Sequence, residues 1–149
     1  MVTAGWPAEQ QPGGILVAVA ALVADADRVL LVRRAKEPAA GKWSLPGGHV
    51  LLGETLADAV RRELREETAL IATEVGDLLE VDELVRPTAR LHYLIHVYRV
   101  HVDASVPPHA GDDAADARWA DAADLADLET TFGLREFLAR HGVGVPPPS

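Results

Sequence analysis

No cysteine occurs among the 149 residues, which excludes a disulfide framework, a thiolate nucleophile and any zinc site built on thiolates. Nor is there an uninterrupted apolar run of the 18 or more residues that a membrane-spanning helix requires. Met1-Val2-Thr3-Ala4-Gly5 lacks the basic region of a secretory signal, so a cytoplasmic protein without a membrane partner is expected. Basic residues are scarce as well: 14 against 23 acidic side chains leave a formal charge of −9. A surface of that sign repels nucleic-acid polymers and anionic lipid, and a small anionic substrate would need a cation to be held there.

What the chain has is apolar residues, 48% of the total, enough at this length for one core without staples. Residues 1–14, with Pro7, Pro12 and a Gln/Gly cluster, and residues 143–149, with Pro146-Pro147-Pro148, show no periodicity; they read as loose tails around a single domain over 15–142. The continuous run Ile15–Val23 and Val29–Val32, separated by an Asp-Ala-Asp turn, predict two paired, buried strands. Leu78–Val85 and the alternating Leu91–Val102 predict a second, longer hairpin. Between them, Thr55–Thr68 predicts a helix: Thr55 and Asp58 form a capping-box-like pair, and Ala57, Val60 and Leu64 recur on one face. A closing helix is expected over Phe132–His141, while Asp112–Asp127 stands out only as Ala/Asp-rich. Strand pairs separated and closed by helices predict a mixed sheet with helices on its faces.

The central helix carries the chemistry. Glu63, Glu66 and Glu67 are spaced three and four apart, so their carboxylates can converge on the side away from Leu64 and repel one another. A divalent cation would turn that repulsion into attraction. Oxygen-only ligands point to Mg²⁺, with Mn²⁺ as a substitute. A Glu/Arg-rich helix considered alone is more often a solvated face, here with Arg61, Arg62 and Arg65. Its setting is unusual, however: Leu45-Pro46-Gly47-Gly48-His49-Val50-Leu51-Leu52-Gly53-Glu54 precedes it, with three glycines where backbone could approach a metal or phosphate closely.

Gly48, five residues, Glu54, seven residues, then Arg62-Glu63-Leu64-Arg65-Glu66-Glu67-Thr68-Ala69-Leu70 resembles the signature of the Nudix hydrolase family. Gly41–Pro46 and Arg118-Trp119 extend the likeness weakly. One position departs: the family usually has glycine where this chain has Ala69, at a helix end of positive φ. The resemblance implies an α/β fold, the Nudix α/β/α sandwich with its mixed sheet and loop-helix. It implies a Mg²⁺-dependent pyrophosphohydrolase acting on a small nucleotide, either an ADP-ribose-like nucleoside diphosphate derivative or a nucleoside triphosphate. The alternative is a Nudix-fold module that binds a nucleotide without cutting it, although such a module has no chemical need for three clustered carboxylates. Dimerisation of many relatives makes a homodimer an expectation of the same kind.

By motif position, Glu63 and Glu67 are expected as principal metal ligands, Glu66 as ligand to a second ion, the Gly47 carbonyl as a backbone ligand, and Arg62 as the group that orients the carboxylates. Glu54 is expected to hold the loop onto the helix start. Family members place the general base on different residues; Asp113, six before Trp119, is the candidate, with Asp112, Asp116 and Glu63 as rivals. Arg33 and Arg34, at a strand end, are candidates for a terminal phosphate, and Trp43 or Tyr93 for stacking a base, each against a plainer reading of solvation or core packing. His92 and His96 share a strand face and read as packing or solvent residues.

Overall fold

The computed structural model describes residues 14–37, 39–86, 91–111 and 114–144. Its strands are β1 (Leu16–Leu22), β2 (Ala24–Asp25), β3 (Arg28–Arg34), β4 (Trp43–Ser44), β5 (Gly47–His49), β6 (Ala72–Arg86), β7 (Leu91–Val102) and β8 (Ala114–Ala120), and its helices are α1 (Leu56–Thr68), α2 (Ala122–Asp127) and α3 (Leu134–Arg140). One sheet runs β5-β1-β7-β6, with β1 parallel to β7 and the other neighbours antiparallel. In the second, β3 pairs antiparallel with β2, β4 and β8.

The continuous apolar run of β1 follows from its position inside the first sheet. Ala18, Ala20 and Leu22 face one core with Ile95, Val97, Leu134 and Phe137. Val19 and Ala21 face a second core under α1, with Val60 and Leu64. A strand buried on both faces cannot alternate apolar with polar residues. With α1 on one face and α3 on the other, the molecule is the expected α/β/α sandwich.

Two expectations are corrected, and one stretch left unassigned is filled in. Ile15–Val23 and Val29–Val32 meet only beside the turn, where the Leu30 N–H donates to the Val23 carbonyl at 2.9 Å: both edges of β1 are taken, by β5 and β7, so the chain leaves this sheet at Val23 and makes the small β2–β3 hairpin in the other. The Ala/Asp-rich stretch holds β8 and α2. Alanine and aspartate are both depleted in strands, so nothing local marks β8, which forms by pairing with β3; α2 is set by a capping box between Asp121 and Asp124. The closing helix begins at Leu134 rather than Phe132, which is exposed. The expected tails lie mostly outside the described residues, but Val143 packs into the core beside α3.

Thr55 caps α1 by accepting from the Asp58 N–H at 3.1 Å. At the other end Ala69 has φ 64°, the left-handed region, and its N–H closes on the Arg65 carbonyl at 2.8 Å. An alanine Cβ is strained there. Ala69→Gly is expected to stabilise the fold by about 1 kcal/mol, read as a raised urea midpoint at unchanged slope; an unchanged midpoint would mean that this helix end is not strained.

Candidate active site

The site lies where α1 crosses the edge strand β5, and two glycines make the crossing possible. A Cβ on Gly47 would stand 2.3 Å from the Val19 carbonyl oxygen, so only glycine lets β5 pair this closely with β1. A Cβ on Gly48 would stand 2.5 Å from the Glu63 carboxyl carbon. The Glu63 carboxylate therefore occupies the space a side chain at 48 would fill. One residue along, the Gly47 N–H donates to Glu67 Oε1 at 2.7 Å, and Glu67 is 7% exposed.

Arg62 organises the rest. Its Nε and Nη2 donate to both oxygens of Glu54, at 2.7 and 3.0 Å, in a bidentate pair. Nη1 donates to Glu63 Oε1 at 2.7 Å and to Glu66 Oε2 at 3.2 Å, and Nη2 also reaches the His49 carbonyl at 3.0 Å. Glu54 in turn accepts from the Leu51 N–H at 3.1 Å. The loop, the helix start and two of the acidic side chains are thus tied to one guanidinium.

Burial pushes the Glu63 carboxyl up from its ordinary value; the Arg62 hydrogen bond and charge oppose that rise, and the nearby Glu66 and Glu54 charges add to it. The Arg62 hydrogen bonds hold Glu54 low, and burial, followed by the Arg62 charge, pushes His49 down. Arg62 is raised, chiefly by its bond to Glu54.

Arg62 faces three carboxylates, so the cluster keeps an excess of negative charge before Glu67 is considered. That excess in a half-buried, all-oxygen donor set fits a hard divalent cation. Glu63 and Glu66 both accept from Arg62, whereas Glu67, expected to converge with them, turns onto β5. Among the described residues, no three His, Asp or Glu side chains already enclose a single metal-sized point.

The other candidates fall around this centre. Arg33, Arg34 and Lys36 line a narrow cleft with Gly47, Glu67 and Ala114; Arg34 is buried in its wall. Trp43 is packed in the core at 8% exposure, with the Arg33 guanidinium 6.0 Å above its ring, and Tyr93 is likewise buried. Neither presents a free face for a base. Asp113 and its rival Asp112 lie outside the described residues, while Asp116 is exposed on β8. The residues flanking Asp112 and Asp113 meet the end of α1: the Gly111 N–H donates to the Glu67 carbonyl at 3.3 Å, and Ala114 lines the cleft.

Sequence reasoning missed an open face of the first sheet. The register aligns Gly48, Val19, His96 and Val81 in one cross-strand row, and Val17, Leu94 and Glu83 in the next. α1 covers Val19, but beyond the helix Val17, Val81 and Val85 are 38%, 50% and 43% exposed. His96 lies two strands from Gly48, about 10 Å at ordinary strand spacing. A few solvent-facing valines among alternating residues give no local signal; the gap follows only from where α1 ends.

The profile of the NUDIX domain matches residues 14–141. The chain is 38% identical over 112 residues to an ADP-ribose pyrophosphatase of Methanocaldococcus jannaschii, a match covering 75% of this chain and 65% of that protein, just under two thirds of its length. It is 37% identical over 126 residues to a putative 8-oxo-dGTP diphosphatase 2 of Mycobacterium tuberculosis, covering 83% and 85% of the two chains. Among solved structures, a bifunctional NMN adenylyltransferase/ADP ribose pyrophosphatase from Francisella tularensis, complexed with AMP and a Mn ion, superposes with a TM-score of 0.69 at 30% identity. That match covers 86% of this chain and 42% of the other.

Proposed function

The chain belongs to the NUDIX domain family, and from that premise we propose that it is a Mg²⁺-dependent pyrophosphohydrolase of small nucleotides, with Mn²⁺ as a working substitute. The observation that carries this reading is the Arg62 cluster: Glu63 seated against Gly48, Glu66 on the same guanidinium nitrogen, and Glu67 anchored to the Gly47 N–H. The Mn ion in the Francisella structure supports the choice of a divalent cation. Glu63, Glu66 and Glu67 would hold the ions, with the Gly47 carbonyl as a further oxygen ligand. A divalent ion bound there acidifies water and offsets phosphate charge.

The protein's own groups do the rest. Arg62 fixes the direction of two carboxylates, and Glu54 fixes Arg62. Arg33 and Arg34 offset phosphate charge from the far wall of the cleft. Asp113 takes the proton as the water oxygen bonds to phosphorus and the anhydride P–O bond breaks, the leaving phosphate departing with the bond electrons. The choice is supported by its described neighbours: Gly111 meets the end of α1 and Ala114 lines the cleft. Trp43, packed in the core, is left out of the nucleoside's contacts.

Two substrate classes fit: ADP-ribose-like nucleoside diphosphate derivatives and nucleoside triphosphates such as 8-oxo-dGTP, in line with the names of the two relatives. A panel of ADP-ribose, NADH, diadenosine polyphosphates, dGTP and 8-oxo-dGTP tests the reading. Cleavage at an anhydride is expected with Mg²⁺ or Mn²⁺ and not with excess EDTA. Hydrolysis that persists in EDTA, or none of any member, would defeat it.

A further inference from the structure

A cavity of about 350 Å³ opens between β6, β7 and the start of α3, on the face of the first sheet opposite α1. Its floor includes Val97, whose cross-strand row runs through Ala20 to Gly47. The cavity therefore lies two strands, about 10 Å at ordinary spacing, from the backbone beside the carboxylate cluster. Two phenylalanines line it in opposite states. Phe137 is packed at 4% exposure, whereas Phe132, just ahead of α3, is 86% exposed and presents a ring face for stacking.

The charged lining is mostly of one sign. Glu80, Asp82 and Glu136 border the cavity, against Arg140 as the basic group among the described lining residues. Arg140 is committed to Glu80: its Nε and Nη2 donate to the two carboxylate oxygens at 2.9 and 3.1 Å. The Glu80 hydrogen bond first, then the charges of Glu80, Asp82 and Glu136, raise Arg140 above its ordinary value, so all three carboxylates act on the same small space. Three of them against one guanidinium leave the cavity negative. That guanidinium also stands 5.9 Å from the centre of the Phe137 ring, so this wall already holds a cation against an aromatic face.

The geometry points to this cavity as the subsite for an aromatic ring carrying a fixed positive charge, stacked on Phe132 and balanced by Asp82 and Glu136. A pyridinium such as nicotinamide has that chemistry, and so has a purine alkylated at N7. A neutral base gains the stacking alone, whereas the charged ring adds a cation–π contact and the pull of carboxylates in a partly enclosed space, where Coulomb attraction exceeds its value in water. The inference rests on the proposed function and narrows it to nucleoside diphosphate derivatives with a cationic nucleoside as one half.

Two pairs of mononucleotides test it, since they differ in ring charge and carry no anhydride to be cut: nicotinamide mononucleotide against its reduced form, and 7-methyl-GMP against GMP. Binding to the full chain in Mg²⁺ is followed by NMR titration, in mildly acidic buffer where the methylated ring keeps its charge. The charged member is expected to bind at least about fivefold tighter, the worth of one cation–π contact and two partly exposed charge pairs. A preference within one pair alone assigns the subsite to that ring. Asp82→Asn combined with Glu136→Gln should abolish the preference, and Phe132→Ala should weaken the charged members of both pairs. If the double variant loses its cooperative melt, Glu136→Gln alone, at an exposed position of α3, should still reduce the preference. Equal affinities within both pairs, or a preference unchanged in Glu136→Gln, would overturn the assignment. The two levels separate: cleavage of the nucleotide panel without a charge preference defeats the subsite and leaves the hydrolase standing, whereas a charge preference without cleavage does the reverse.

Discussion

Glu67→Gln is expected to lower turnover in saturating Mg²⁺ by more than about 100-fold while leaving the melting temperature within a degree or two of the wild type. The amide oxygen of glutamine can still accept the Gly47 N–H, which Glu67 now does at 2.7 Å, so the tie between α1 and β5 survives. What is lost is one negative charge at a nearly buried position. Removing an outer-shell partner of a metal ligand typically costs 10–100-fold, and removing a ligand's charge should cost more. Wild-type turnover in this variant, with Mg²⁺ still required, would place the metal elsewhere.

The second large effect is a contrast between neighbouring glycines. In Gly47→Ala the new methyl would stand 2.3 Å from the Val19 carbonyl and 2.9 Å from the Ala20 Cα, all backbone that cannot step aside. That variant should lose at least about 3 kcal/mol of stability, an overpacking cost, or roughly 10 °C of melting temperature at this size. In Gly48→Ala the methyl meets only the end of the flexible Glu63 side chain, which can swing away. The fold should then stand within about 1 kcal/mol of wild type, while turnover falls about 10- to 100-fold because Glu63 has left its seat. Chemical denaturation and steady-state kinetics on both proteins check this. Equal effects on stability, or full activity in Gly48→Ala, would show that the seat of Glu63 on Gly48 has no bearing on the chemistry.

Local signals made α1 legible. Thr55 and Asp58 mark its start and Val60 and Leu64 its buried side, and the structure has them so; the glutamate spacing marks an acidic side on which Glu63 and Glu66 meet Arg62 while Glu67 turns onto β5. Even the strained end at Ala69 was expected, because the family that the motif resembles usually has glycine there and a left-handed residue is a common way to end a helix. Strand partners were not legible. Ile15–Val23 announces a strand buried on both faces but not that its neighbours are β5 and β7, since pairing is decided by contacts distant in sequence. β8 has almost no propensity of its own and exists because β3 offers it an edge. At the site, the Arg62–Glu54 pair joins residues whose roles read separately in the sequence, and the open face with His96 emerges only once α1 is seen to end short of it. Trp43 shows the converse: an aromatic near a pair of strand-end arginines invites stacking, yet its ring is spent on the core.

The most direct measurement is anomalous diffraction from crystals grown with Mn²⁺. A manganese peak bonded to carboxylate oxygens of both Glu63 and Glu67, beside the Gly47–Gly48 backbone, is the predicted result. Glu63 remaining wholly on Arg62, with no peak between α1 and β5 at millimolar Mn²⁺, would contradict the central claim that this helix gathers a divalent ion.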